Sequence, residues 1–291
     1  MKEVSMRKDV HEANRLSWNE ATVAQDSHRG DQVAFFRNGG STLYPEEREL
    51  LGDLRGQSVL HLQCNTGQDS LSLAQLGACV TGVDISDTAI SRAQQLAQET
   101  ALPATFHRMD VYDWLDYAAK KQLHFHTIFC SYGTLSWLSD LSTWAKGGAA
   151  ILAPAGRLCV IDYHPIMLTL DEEQQRRYPY GMEKVPDMVT WKGGVSDFVA
   201  QAGCGLPGEA YVEGIASFQN PYPAYEFYWG LGQIVTAVVE AGLILQSLKE
   251  YSYCNGYKPF YEMRQVGRRW YLPAGQPSFP LMYSFTAKRC K

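Results

Sequence analysis

From Ser58 to Tyr163 the chain alternates short apolar runs with amphipathic stretches, and that rhythm leaves little choice of architecture. Val59–Gln63, Cys79–Asp84, Ala104–Met109, Phe125–Cys130 and Arg157–Tyr163 read as buried strands. Between them, Asp69–Leu76, Ser86–Glu99, Val111–Lys121 and Leu135–Leu152 read as helices. In the second of these helices Ser86 is placed as N-cap, and Ile90, Ala93, Leu96 and Ala97 form one apolar stripe. Strands alternating with helices of this length build parallel βαβ units in a single sheet. Further on, Tyr225–Ala241 reads as a helix closed by Gly242, followed by strands at Leu243–Tyr251 and Leu281–Thr286 joined by a long loop.

Open sheets of this kind bind ligands beyond the carboxyl ends of their strands. The segments expected there are Cys64–Gln68, Asp84–Ser86, Asp110–Val111, Cys130–Gly133 and Asp162–His164, five loops converging on one crevice. The second strand ends on Asp84, 21 positions after Gln63. That is close to the roughly 20 expected for an acid that accepts hydrogen bonds from ribose hydroxyls. The first turn, Gln63-Cys-Asn-Thr-Gly67, holds one glycine where a dinucleotide fold uses the spaced set G-x-G-x-x-G to approach a pyrophosphate. The pattern therefore favours an adenosine-containing ligand without phosphates.

These residues resemble the class I S-adenosylmethionine-dependent methyltransferases, strongly over about residues 58–165. The helix and strand pair from 225 to 286 is similar to that family's closing reversed hairpin. More narrowly, the chain resembles a bacterial group of small-molecule methyltransferases. The matching residues are Asn14-x-x-x-Trp18-Asn19, His61-Leu-Gln-Cys64, Ser131-Tyr-Gly133 and Asp162-Tyr-His-Pro165. The resemblance implies a doubly wound, mostly parallel seven-stranded α/β sheet, the Rossmann-like methyltransferase fold, with an N-terminal helical lid and an inserted cap. It implies S-adenosyl-L-methionine as cofactor. Gln63, Asn65 and Gly67, with Cys64 between them, would line its methionine and ribose side. Asp84 would hold the ribose hydroxyls and Ile85 would flank the adenine. Asp110 and Val111 would meet the adenine edge, and Cys130 and Ser131 would lie under the methionine part. The sequence departs from the family where His61, Gln63 and Asn65 stand in place of an acid and further glycines.

Such a pocket supports displacement at an activated methyl, with positioning and water exclusion supplying much of the rate. Where an acceptor must lose a proton early, His164 is the first candidate base, with Tyr132 and Asp162 behind it. The alternative for His164 is a hydrogen-bonded structural histidine before Pro165. Trp18 and His28 lie in the expected lid, either touching a ligand or packing the lid itself. Trp191, Tyr222, Tyr225 and Trp229 are candidates to wall a flat substrate, helix-face packing being the alternative. His124 and His126 lack a nearby third ligand, so no metal is expected.

The chain divides into an N-terminal lid (1–57), a cofactor-binding core (58–165), a substrate cap (166–223) and a closing helix and strand pair (224–291). The cap is expected to lie over the sheet, because 58 residues are too few for an independent core. Net charge is -5, with no basic stripe, which argues against nucleic acid as partner. Neither a secretory signal nor an apolar run of membrane-spanning length is visible. Seven cysteines without a C-x-x-C pair suit reduced thiols in the cytoplasm. The expected activity is methyl transfer to a small aromatic or heteroaromatic metabolite, on nitrogen, oxygen or carbon, by a chain that a homodimer would also suit. Two other readings remain open: an NAD(P)-dependent oxidoreductase on the same sheet type, and a non-catalytic regulatory protein that binds an adenosine ligand.

Overall fold

The computed structural model describes residues 6–182, 188–203, 207 and 211–289. The chain opens with α1 (Lys8–Ser27), α2 (Gln32–Arg37) and α3 (Pro45–Leu51), all ahead of the first strand. The expected alternation follows as β1 (Ser58–Leu62), α4 (Gln68–Gln75), β2 (Cys79–Asp84), α5 (Asp87–Thr100), β3 (Ala104–Arg108), α6 (Val111–Lys120), β4 (Phe125–Ser131), α7 (Leu141–Ile151) and β5 (Leu152–Tyr163). The insert then carries β6 (Val189–Trp191), α8 (Phe198–Ala202) and β7 (Ala224–Glu226). The last elements are α9 (Leu231–Glu240), β8 (Leu243–Tyr251), β9 (Tyr253–Asn255), β10 (Arg264–Val266), β11 (Arg269–Tyr271) and β12 (Met282–Arg289).

The main sheet has seven strands in the order β3-β2-β1-β4-β5-β12-β8. β1 pairs in parallel with both β2 and β4, whereas β12 runs antiparallel to β5 and to β8. Strand order reverses between β1 and β4, so the crevice opens there, above the carboxyl ends of both. Alternating residues of β1 and β4 feed opposite faces. Leu60, Leu62, Ile128 and Cys130 pack with the residues of α6, α7 and α9. Val59 and Phe129 pack toward α3 and α4. Leu60 and Leu62 are fully buried, and truncating either to alanine should cost about 2–5 kcal/mol.

Several expected boundaries shift. The helix expected over Leu135–Leu152 is a short 3-10 turn at Leu135–Trp137, followed by α7 from Leu141. Asp140 makes the break by accepting a hydrogen bond from the Thr143 N–H at 2.9 Å, an N-cap. The helix expected from Tyr225 starts only at Leu231, after Gly230. Ala224–Glu226 is instead a strand paired antiparallel to β6, consistent with its β-favouring aromatic surroundings. The sequence also suggests a short strand near Ala210–Phe218; none forms over its described part, residue 210 lying outside the described residues. The loop between the last two main strands carries the small sheet β10-β11-β9. Among the described residues, no helix is long and apolar enough to cross a membrane.

Candidate active site

The turn after β1 is built from backbone that most side chains avoid. Gln63, Asn65 and Gly67 have φ of 55°, 49° and 79°. Asn65 tolerates this because its side-chain carbonyl accepts the following Thr66 N–H at 2.7 Å. Gly67 has no such freedom to spare: a Cβ there would lie 2.8 Å from the Phe106 ring and 2.9 Å from Ala93. The strained turn aims the Asn65 N–H at Asp84, whose Oδ2 accepts it at 2.8 Å. The other oxygen of Asp84 accepts the Ser86 N–H at 2.9 Å. The carboxylate is thus fixed by the loops of two strands, while burial pushes its pKa up from the ordinary value.

Two cavities meet at this turn. The smaller, about 120 Å³, is walled by Val83, Asp84, Ile85, Met109, Asp110 and Val111 from the core and by α1 above. The larger, about 780 Å³, extends under the insert and is rich in aromatic rings. Trp18, Gln63, Asn65, Tyr132, Gly133 and Trp137 line both. Gln63 donates through Nε2 to the Thr134 carbonyl at 3.0 Å, leaving its buried Oε1 without a partner among the described residues. Such an acceptor calls for a ligand donor.

Residues 59–156 match the family model described as a methyltransferase domain. By this match the core of the chain is similar to a methyltransferase domain. A ubiquinone biosynthesis O-methyltransferase from Coxiella burnetii is 32% identical over 105 residues, 36% of this chain and 43% of the relative. One of that name from Bordetella avium is 28% identical, with 38% of this chain and 44% of the relative covered. The match thus spans less than half the length of these curated relatives. The fold also matches the CcbJ methyltransferase from Streptomyces caelestis, at TM-score 0.56 and 14% identity, over 96% of this chain and 99% of that one. An S-adenosylmethionine-dependent methyltransferase from Mesorhizobium loti superposes at TM-score 0.52 and 16% identity, covering 86% and 99% of the two chains.

The matched core gathers most of the expected cofactor residues. Gln63, Cys64, Asn65 and Ser131 line the large cavity, and Asp84, Ile85, Asp110 and Val111 line the small one. Gly67 stands behind the turn as its packing hinge. Cys130 does not reach the cavities, because it faces the α6–α7 side of the sheet and is fully buried in that core. Asp110 accepts the Tyr112 N–H at 2.9 Å with one oxygen as the cap of α6, and the other meets His11 Nδ1 at 2.8 Å. His11 itself was invisible in the sequence, since only the fold brings α1 over this loop.

Among the catalytic candidates, His164 is moved out of the site. Its Nε2 meets Glu250 at 2.9 Å, its Nδ1 accepts the Ile166 N–H at 3.1 Å, and it lines neither cavity. Both ring nitrogens are engaged at a strand end, where burial lowers its pKa. Asp162 lines the large cavity but spends its oxygens on the backbone. It accepts the N–H groups of Gly133, of Leu135 at 3.1 Å and of Tyr163 at 2.7 Å, shaping the loop after β4. Tyr132 stays at the junction, held at φ 27°, with its hydroxyl accepting Asn255 Nδ2 at 2.9 Å. Burial, then the Glu47 carboxyl nearby, pushes the Tyr132 phenol well up, so it keeps its proton at neutral pH.

Of the substrate candidates, Trp18, Trp191 and Trp229 line the large cavity. His28, Tyr222 and Tyr225 do not. His28 is buried against Asp197 at 3.0 Å and stitches α1 to the insert. Tyr222 is exposed, and Tyr225 turns away from the cavity because its neighbours in the β7 alternation, Ala224 and Glu226, occupy the opposite face. Two further residues escaped the sequence reading. Glu47 is buried at the cavity wall with Oε1 unpartnered among the described residues, and burial pushes its carboxyl well up. Glu226 also lines the cavity, at the end of β7, followed there by Phe227, Tyr228 and Trp229, so no simple alternation announced it.

Proposed function

We propose that this chain transfers a methyl group from S-adenosylmethionine to a small aromatic or heteroaromatic metabolite. The observation that carries the reading is the shared wall at Gln63, Asn65, Tyr132 and Gly133, where the small pocket that holds Asp84 joins a large aromatic cavity. When bound, S-adenosylmethionine supplies a methyl group already activated as part of a sulfonium. Asp84 is the residue to hold ribose hydroxyls, and the orphaned Gln63 Oε1 is placed for a donor on the methionine side. Trp18 and Trp137, in edge contact at 5.4 Å, close the junction against water. Tyr132 keeps its proton and orients a polar atom of the acceptor.

Calorimetry on the full chain tests the cofactor half. S-adenosylmethionine and S-adenosylhomocysteine should both bind, and Asp84→Ala should weaken both by about 10- to 100-fold with the fold intact, as expected for losing hydrogen bonds to a charged acceptor. Absence of binding to the folded wild type would sink the reading. Transfer of labelled methyl to members of a panel of phenols and heteroaromatics tests the acceptor half.

A further inference from the structure

Glu226 projects from β7 into the large cavity with an unusual set of neighbours. Trp191 Nε1 and the Tyr228 hydroxyl donate to its Oε2 at 2.6 and 3.1 Å, and Ser136 Oγ donates to its Oε1 at 3.1 Å. An indole N–H only donates, so it faces an acceptor, and a carboxylate with about four lone-pair sites still has room for another donor. Among the described residues no cation pairs with Glu226, and the charge acting on it is the carboxylate of Asp162. Burial consequently leaves its carboxyl above the ordinary value despite three donors.

The surroundings complete the picture. The Tyr178 ring lies 5.4 Å from that of Trp191 and 5.8 Å from that of Tyr228, and Tyr257 lines the same cavity. Aromatic faces attract cations, most strongly where water is excluded. Acids outnumber bases on the cavity wall. Its two arginines are committed elsewhere, Arg29 to Thr66 Oγ1 at 2.7 Å and Arg268 to the Thr42 carbonyl at 2.7 Å. A buried carboxylate without a counter-charge is costly, and a ligand that brings one recovers the cost.

We propose that the acceptor carries an amine protonated at neutral pH, and that its ammonium seats on Glu226 within the rings of Trp191, Tyr178, Tyr228 and Tyr257. The inference rests on the methyl-transfer reading and adds the substrate class to it. Glu226 is then the specificity-determining residue, and the ammonium is the handle by which the acceptor is held.

The test uses the full chain saturated with S-adenosylhomocysteine and matched probes, phenethylamine against 2-phenylethanol and tryptamine against indole-3-ethanol. By calorimetry each amine should bind at least about tenfold more tightly than its alcohol, the scale of a desolvated cation over aromatic rings beside a carboxylate. Glu226→Gln should abolish that preference while the affinity for S-adenosylhomocysteine stays unchanged. Trp191→Phe, which keeps a ring and removes one of the two donors on Oε2, should retain it. Equal binding of amine and alcohol by the wild type, no binding of either amine, or a preference that survives Glu226→Gln overturns the inference. Failure of S-adenosylhomocysteine to bind removes the methyl-transfer reading as well. Binding of S-adenosylhomocysteine without an amine preference removes the amine handle alone.

Discussion

Single residues in this chain divide by whether their chemistry is local. Gly67 and Asp84 were legible because a turn and a strand end fix their surroundings within a few positions. The structure adds the reason for Gly67, a contact with Phe106 and Ala93 that arrives from other elements. His164 was misjudged for the opposite reason: its partner Glu250 lies on β8, beyond the insert and α9, and no local pattern announces it. As a structural residue, His164 should be dispensable for turnover and not for stability. His164→Ala is expected to leave kcat within about twofold while lowering unfolding free energy by about 0.5–1.5 kcal/mol, the net worth of hydrogen bonds whose other partners, Glu250 and Ile166, can turn to water. Steady-state kinetics beside urea denaturation checks both, and a large loss of kcat in a stable variant would return it to the mechanism.

At the scale of elements, the five parallel strands were readable because buried strands and amphipathic helices have different periods. The short pieces were not. Four of the six residues in Ala224–Trp229 are aromatic, so the short strand Ala224–Glu226 was hidden inside a longer helix-like run, and Glu226 was hidden with it. The Asn14-x-x-x-Trp18-Asn19 pattern also gains a physical account. Asn14 clasps Tyr225 of β7 through both backbone groups, donating to its carbonyl at 2.9 Å and accepting its N–H at 2.7 Å. Trp18, one turn later, reaches both cavities. Asn19 accepts from Ser86 Oγ at 2.7 Å, beside Asp84. Asn14→Ala should destabilise the chain by about 1–3 kcal/mol, through two lost hydrogen bonds at a buried side chain. Hydrogen exchange should show the loss concentrated in α1 and β7. Uniform loss across the main sheet would contradict a role confined to this clasp.

Across the whole molecule, acid sensitivity should trace to a histidine within the sheet. His61 on β1 sits between Ser70 Oγ at 2.8 Å and Ser131 Oγ at 3.2 Å, and burial pulls its pKa from 6.5 down to about 4. The unfolded chain therefore binds a proton that the folded chain refuses between those values. Stability from this group is fully present above pH 6.5 and is lost progressively as pH falls toward 4. A neutral substitute, His61→Gln, should flatten that part of the melting-temperature profile relative to wild type. Superimposable profile shapes for the two proteins would place the acid sensitivity elsewhere. The sequence showed His61 as a match to the narrower group and a departure from the wider one; its meaning needed the two serines that the fold brings to it.

The stitching of α1 has a kinetic corollary. The helix roofs the small cavity with His11 and Asn14. Along its length it is also tied to the insert that roofs the large one, through Ser17 to the Val195 N–H at 2.9 Å, Gln25 to the Ser196 carbonyl at 2.9 Å, and His28 to Asp197 at 3.0 Å. Two chambers therefore hang from one door. On the proposed methyl-transfer reading, a swing of that door wide enough to release the product would also uncover the nucleoside side, and single-turnover and steady-state rates measured side by side should then differ, with release the slower step.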